Sequence, residues 1–297
     1  MIRSLLAVGV ASLAVFAQAP ARVDLDELLR QADARRREFT ETFKGLIAVE
    51  TRLTELFDKD GRVTKQRLVV SDFLVYSSSI REGVVSEYRV PRAVDGKAVR
   101  NPEDDAIKAF KRLADAKTAK EEGERLQALL LKHVLKYATS GFTLQPLYVV
   151  AEDRRKDVVF TIAGRETVKG RDAIVLAYEL KTWRPEAAGS YRHFTDPRLG
   201  GRGRAWLDAA DGRLLRWEND HLIVDADLAT PGPYLRTTVE YEPSAFGIWT
   251  PQQVVATFSD KFREKNTPPS LRLAGRITYT YTGFQRFLVS TSTTIKH

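Results

Sequence analysis

The densest gathering of reactive side chains in the 297-residue sequence is Tyr191-Arg192-His193-Phe194-Thr195-Asp196, with Arg198, Arg202 and Arg204 close behind. Guanidinium groups grip acidic groups through paired N–H donors, and histidine is the side chain that moves a proton near neutral pH. Arg192, His193, Arg198 and Arg202, with the indole of Trp206, are therefore the candidate ligand-binding residues, and His193 is the one plausible proton carrier. Against this stands an exposed charged loop, the setting in which such residues ordinarily accumulate. Core packing likewise competes with ligand stacking for Trp183, Trp206, Trp217 and Trp249.

Other chemistry finds little support. The four histidines, His133, His193, His221 and His297, are far apart and form no His-x-x-x-His pair, so no metal is expected. Asp225 and Asp227 lack the further oxygen ligands of a cation site. There is no Gly-x-Ser-x-Gly elbow and no phosphate loop, and Gly200-Gly201-Arg202-Gly203 reads as a flexible turn before a strand. With no cysteine in the chain, disulfides, thiolate metal sites and a cysteine nucleophile are excluded. No catalytic residue, cofactor or enzymatic activity is expected.

The chain opens with Arg3, an apolar run of 13 residues from Leu5 to Ala17, and small residues around Ala19-Pro20-Ala21. That is the layout of a cleavable secretory signal over residues 1–21, too short to span a bilayer. A periplasmic or secreted protein without a lipid anchor is expected, 276 residues long (297 minus 21), forming a single β-rich domain over 22–297. Its formal charge of +8 becomes +7 when Arg3 leaves with the signal. Anionic membrane surfaces suit such a balance, whereas scattered basic residues and export speak against nucleic acid.

The elements that must position these residues follow from periodicity. Asp24 and Glu27 form a capping pattern for a helix carrying Leu25, Leu28, Leu29, Ala32, Phe39 and Phe43, which Gly45 ends. Arg35, Arg36 and Arg37 fall on its other side and read as a solvated surface. From Leu46 the period becomes two, with Ile47, Val49, Thr51 and Leu53 on one face and Glu50, Arg52 and Thr54 on the other. Asp60-Gly61 and Asp95-Gly96 bound strands over 63–76 and 84–94. Asn101-Pro102 starts a helical insert at about 101–137, rich in Lys and Glu around Gly123 and in leucine beyond it. Strands resume at Val158 and, after the loop from Trp183 to Gly203, continue to Ile295.

Several segments resemble uncharacterised exported bacterial proteins related in pattern to the periplasmic lipoprotein carriers, the LolA/LolB-like half-barrel. They are Arg67 to Leu74, Val94 to Val99, Gly203 to Asp208 with Asp211 to Arg216, Tyr241 to Trp249, and Tyr281 to Phe287. The resemblance implies an α+β, mostly β fold: a strongly curved antiparallel sheet, a half-open barrel, with helices packed against its concave face. In the carriers that cavity accepts acyl chains. The function expected is binding of an apolar or acyl-bearing ligand, a lipid or lipoprotein, with basic rim residues meeting anionic headgroups. The alternative is a structural or interaction protein of the cell envelope with a filled core.

Overall fold

A computed structural model describes residues 23–44, 46–77, 85–99, 115–130, 142–180, 199–223, 232–263 and 269–286. Its strands are β1 (Leu46–Phe57), β2 (Val63–Ser77), β3 (Val85–Val94), β4 (Lys97–Ala98), β5 (Val158–Val168), β6 (Arg171–Leu180), β7 (Leu199–Asp208), β8 (Leu214–Ile223), β9 (Gly232–Pro243), β10 (Trp249–Phe262) and β11 (Ser270–Arg286). They form one antiparallel sheet in the order β4-β3-β2-β1-β11-β10-β9-β8-β7-β6-β5, so among the described residues the first strand pairs with the last, and β4 and β5 are the edges. The sheet is a half-open, strongly curved barrel with helices on its concave face, as the resemblance implied. Tight turns set the register: Asp95 and Gly96, and Lys169 and Gly170, both take positive φ, the geometry of two-residue hairpin loops that match the sheet twist.

Helix α1 (Leu25–Phe43) begins where Asp24 accepts the N–H groups of Asp26 and Glu27 at 3.0 and 3.2 Å. One side of it is buried. Leu28, Leu29 and Ala32 meet Val150, Ile174, Leu176 and Leu207, while Phe39 packs edge-on to Tyr241 and Phe43 lies 6.0 Å from Phe73. Each fully buried side chain of this kind contributes about 1.5–3 kcal/mol. These partners define the concave face, because residues two apart on a strand share a side.

The arginine triplet is not merely solvated. Asp33 is buried on α1 and accepts from Arg36 and Arg37 at 2.8 and 2.9 Å; Arg37 also reaches Glu152, and Arg35 reaches the Asp211 carboxylate at 3.7 Å. The triplet ties α1 to the segment Glu152–Asp157, a short 3₁₀ helix, and to the β7–β8 turn. Burial alone would raise the Asp33 carboxyl, but the Arg36 hydrogen bond and charge outweigh it and hold the group below its usual value.

Helix α2 (Ala119–Leu130) packs against β3, and α3 (Gln145–Val149) follows a turn at 142–144. Gly123 lies inside α2, and residues 115–118 before it are not helical. There Thr118 Oγ1 accepts the Glu121 N–H and the Glu121 carboxylate accepts the Lys117 N–H, a reciprocal cap. Residues 101–114 and 131–137 of the expected insert lie outside the described residues, as does Gly45.

Two local features go beyond or against the sequence reading. On β1 the polar set is the inner one: Glu50, Arg52 and Thr54 are buried, and Ile47, Val49, Thr51 and Leu53 are half-buried on the convex side. The glycine run 200–203 is strand rather than turn, and the reason is steric. A Cβ on Gly203 would stand 2.0 Å from the Glu218 carbonyl oxygen and 2.5 Å from the Tyr178 hydroxyl.

Candidate functional site

The concave face is aromatic and aliphatic where α1 and the 142–149 segment cover it, and polar beyond. Its floor includes Phe73, Trp217, Tyr241, Tyr279 and Tyr281, all buried. Phe142 packs edge-on to Tyr279 at 5.8 Å, which seats the turn before α3 directly on this floor.

Across β1, β2, β3 and β11 the inner positions carry an ionic cluster. Arg89 Nε donates to both Glu50 carboxylate oxygens at 2.7 Å and its Nη2 donates to Glu87 at 2.7 Å. The other Glu87 oxygen accepts from the Thr143 hydroxyl and the backbone N–H groups of Thr143 and Leu144, at 2.6, 2.7 and 3.2 Å. Glu87 therefore staples the covering segment to the sheet through a charge-assisted set of bonds. The guanidinium lies 5.0 Å from the Phe73 ring centroid and 5.5 Å from that of Tyr279. Burial opposes its charge, but the two carboxylates more than offset this and raise its pKa well above the ordinary arginine value. Arg89 Nη1 and the Tyr281 hydroxyl, at the same place, have no hydrogen-bond partner among the described residues.

A second polar group occupies the inner side of β6, β8 and β9. The Tyr178 hydroxyl lies 3.0 Å from the Glu218 carbonyl and 2.9 Å from Asn219 Oδ1, both acceptors for its proton, over the space Gly203 leaves. Burial raises the pKa of this phenol well above its usual value. Thr237, opposite Asn219 in the register, is fully buried, and its hydroxyl has no partner among the described residues. His221, two residues along, is 4 % exposed, and burial lowers its pKa to about 4, so it is neutral at pH 7.

Between α1 and the floor is a cavity of about 40 Å³, bordered by Phe39, Leu147, Tyr241, Ile248 and Trp249. A larger groove of about 610 Å³ lies mainly over the convex side of β5 to β9. Its charges alternate across the strands: Glu179 faces Arg202, Arg202 faces Asp220, and Asp220 faces Arg236, to which it is paired at 2.6 Å. Cross-strand pairing of opposite charge is an ordinary way to stabilise a solvated sheet face.

The candidate residues read from the sequence are dispersed. Arg192, His193 and Arg198 lie outside the described residues. Arg202 is exposed on the convex face. Trp206 shares that side: it is 2 % exposed, its Nε1 donates to Glu166 at 2.8 Å, and Arg216 stacks 4.8 Å from its ring. Glu50, Glu87, Arg89, Tyr178 and Thr237 were missed. The one signal for them was charge at alternate positions, Glu50 with Arg52 and Glu87 with Arg89, inside otherwise apolar strands. Among the described residues no three acidic or histidine side chains are placed to hold a metal ion, and no helix is long and apolar enough to cross a membrane.

No protein-family model and no curated protein matches the chain. Solved structures do. The chain is similar to a DUF1329 family protein from Desulfovibrio piger, at 11 % identity over 90 % of this chain and 95 % of that one, with a TM-score of 0.35. It is similar to a LolA superfamily protein from Nitrosomonas europaea, at 11 % identity over 91 % and 96 %, with a TM-score of 0.37. An outer membrane lipoprotein-sorting protein domain from Vibrio parahaemolyticus gives 11 % identity over 89 % and 95 %, with a TM-score of 0.37. The likeness is one of fold.

Proposed function

We propose that the chain is an exported binding protein whose concave face holds an amphipathic, acyl-bearing molecule such as a lipid or lipoprotein. The acyl part lies along the aromatic floor, and ester or amide oxygens meet the buried donors. The observation that carries this reading is the set of groups on one face that are orphaned among the described residues: Arg89 Nη1, the Tyr281 hydroxyl and the Thr237 hydroxyl. In a core that is simply filled, each would cost about 1–3 kcal/mol. A ligand oxygen satisfies such a donor while the chain beside it buries apolar surface at about 25 cal/mol per Å². In this reading residues 1–21 are removed on export, residues 22–297 act as one unit in the periplasm or outside the cell, and Arg192, His193 and Arg198 meet the ligand's headgroup.

The test is mass spectrometry of protein purified gently from its native compartment, with Thr237→Val run alongside. The parent should carry lipid and the variant should lose at least tenfold in occupancy while folding normally. Repeated recovery of parent with nothing bound, and a variant more stable by about 1 kcal/mol, would sink the proposal. That outcome would favour a packed envelope component, the reading that the small cavity of about 40 Å³ under α1 supports, since ligand pockets generally exceed about 300 Å³.

A further inference from the structure

The ends of β1, β2, β10 and β11 farthest from α1 form a projecting lip. Of the large apolar side chains exposed in the described residues, Val63, Leu68 and Leu273 stand here, at 48, 39 and 45 % exposure. Register brings them together, because Phe57 faces Val63, Leu56 faces Lys65 and Gly275, and Ser259 faces Leu273. Leu56, Phe57, Phe262 and Leu271 are half-buried around them. Exposed apolar clusters of this kind mark interaction surfaces.

Charge says what the surface meets. Lys59, Arg62, Lys65 and Arg263 surround the apolar residues and make no ion pair with any described residue, and Arg272 lies 4.4 Å from the Phe262 ring centroid. The nearby acids are largely engaged: Glu55 pairs with Arg276 at 2.8 Å, and Asp58 caps its own turn by accepting the N–H groups of Asp60 and Arg62. An apolar edge fringed by unpaired cations matches an anionic bilayer, in which side chains enter the headgroup layer while basic residues meet lipid phosphates.

We propose that this lip is a docking surface for anionic membranes, distinct from the concave face and from the arginine-rich segment at 183–204. Co-sedimentation with vesicles of phosphatidylglycerol and phosphatidylcholine tests it, with pure phosphatidylcholine vesicles and vesicle-free samples as references. The parent protein should bind the anionic vesicles at least tenfold more tightly than the neutral ones. Lys65→Gln should weaken binding about fivefold at low salt, and Leu68→Asp with Leu273→Asp at least tenfold, with unchanged melting temperature. Arg202→Gln with Arg204→Gln, on the convex charge ladder, should leave vesicle binding as it is. Equal binding by parent and lip variants, or a loss confined to the Arg202 and Arg204 variants, would overturn the proposal. So would a parent that pellets no more with vesicles than without, which would leave a protein partner as the occupant. Retention of bound lipid by the lip variants separates this result from any failure of the concave-face reading.

Discussion

His221 shows how one side chain links burial to a measurable pH response. Its pKa is lowered to about 4 by burial, against about 6.5 in an unfolded chain. Between those values the unfolded state binds the proton and the native state does not, so stability falls as pH drops from about 6.5 to about 4 and is fully present above that window. The expected loss at this site is about 3 kcal/mol. His221→Phe keeps an apolar ring without the titration, so urea unfolding at pH 7, 5.5 and 4.5 should show a flatter decline for the variant. Identical slopes would mean that His221 is not held neutral. None of this was legible beforehand. The sequence shows a histidine in a strand, but its burial depends on how that strand pairs, with Gly201 on one side and Leu235 on the other. Glu87 and Arg89 pose the same difficulty, since what licenses their charges is Glu50, some forty residues earlier, and a turn at Thr143.

At the level of elements, the turns were the easiest part to read. Asp95-Gly96, Lys169-Gly170 and Asp211-Gly212 announce their hairpins because the required positive φ is a local property of those residues. Gly203 was misread because its constraint is tertiary: the space it leaves belongs to Tyr178 and to the β8 backbone. Gly203→Ala should therefore cost about 3 kcal/mol or more by chemical denaturation, since the obstructing Glu218 carbonyl cannot move without opening the β7–β8 pairing. Gly201→Ala meets instead the Leu180 Cδ1 at 2.7 Å, the end of a flexible side chain, and should cost about 1 kcal/mol. Equal losses at the two sites would show that packing around Tyr178 is looser than the contacts indicate. The orientation of β1 has the same origin. Alternation reveals two faces, and which one turns inward depends on whether Arg89 arrives to meet Glu50.

For the whole molecule, the strand order fixes more than shape. Because β1 pairs with β11, residue Glu55 lies beside Arg276, 221 positions later. A ribosome or translocation channel releasing the chain from its N-terminus delivers β1 to β4 first, and this group must wait with one long flank bare until the last strand arrives. Folding is thus gated by a late, long-range closure, and loop-closure entropy makes such steps slow. Refolding from urea, followed by tryptophan fluorescence, should take milliseconds to seconds or longer, and a chain ending before Ser270 should leave β1 to β4 and β5 to β10 as two unjoined sheets. Until that final strand docks, the bare flank of β1 is a template that any passing strand could extend, so the interval between synthesis and closure is when this protein most needs an escort.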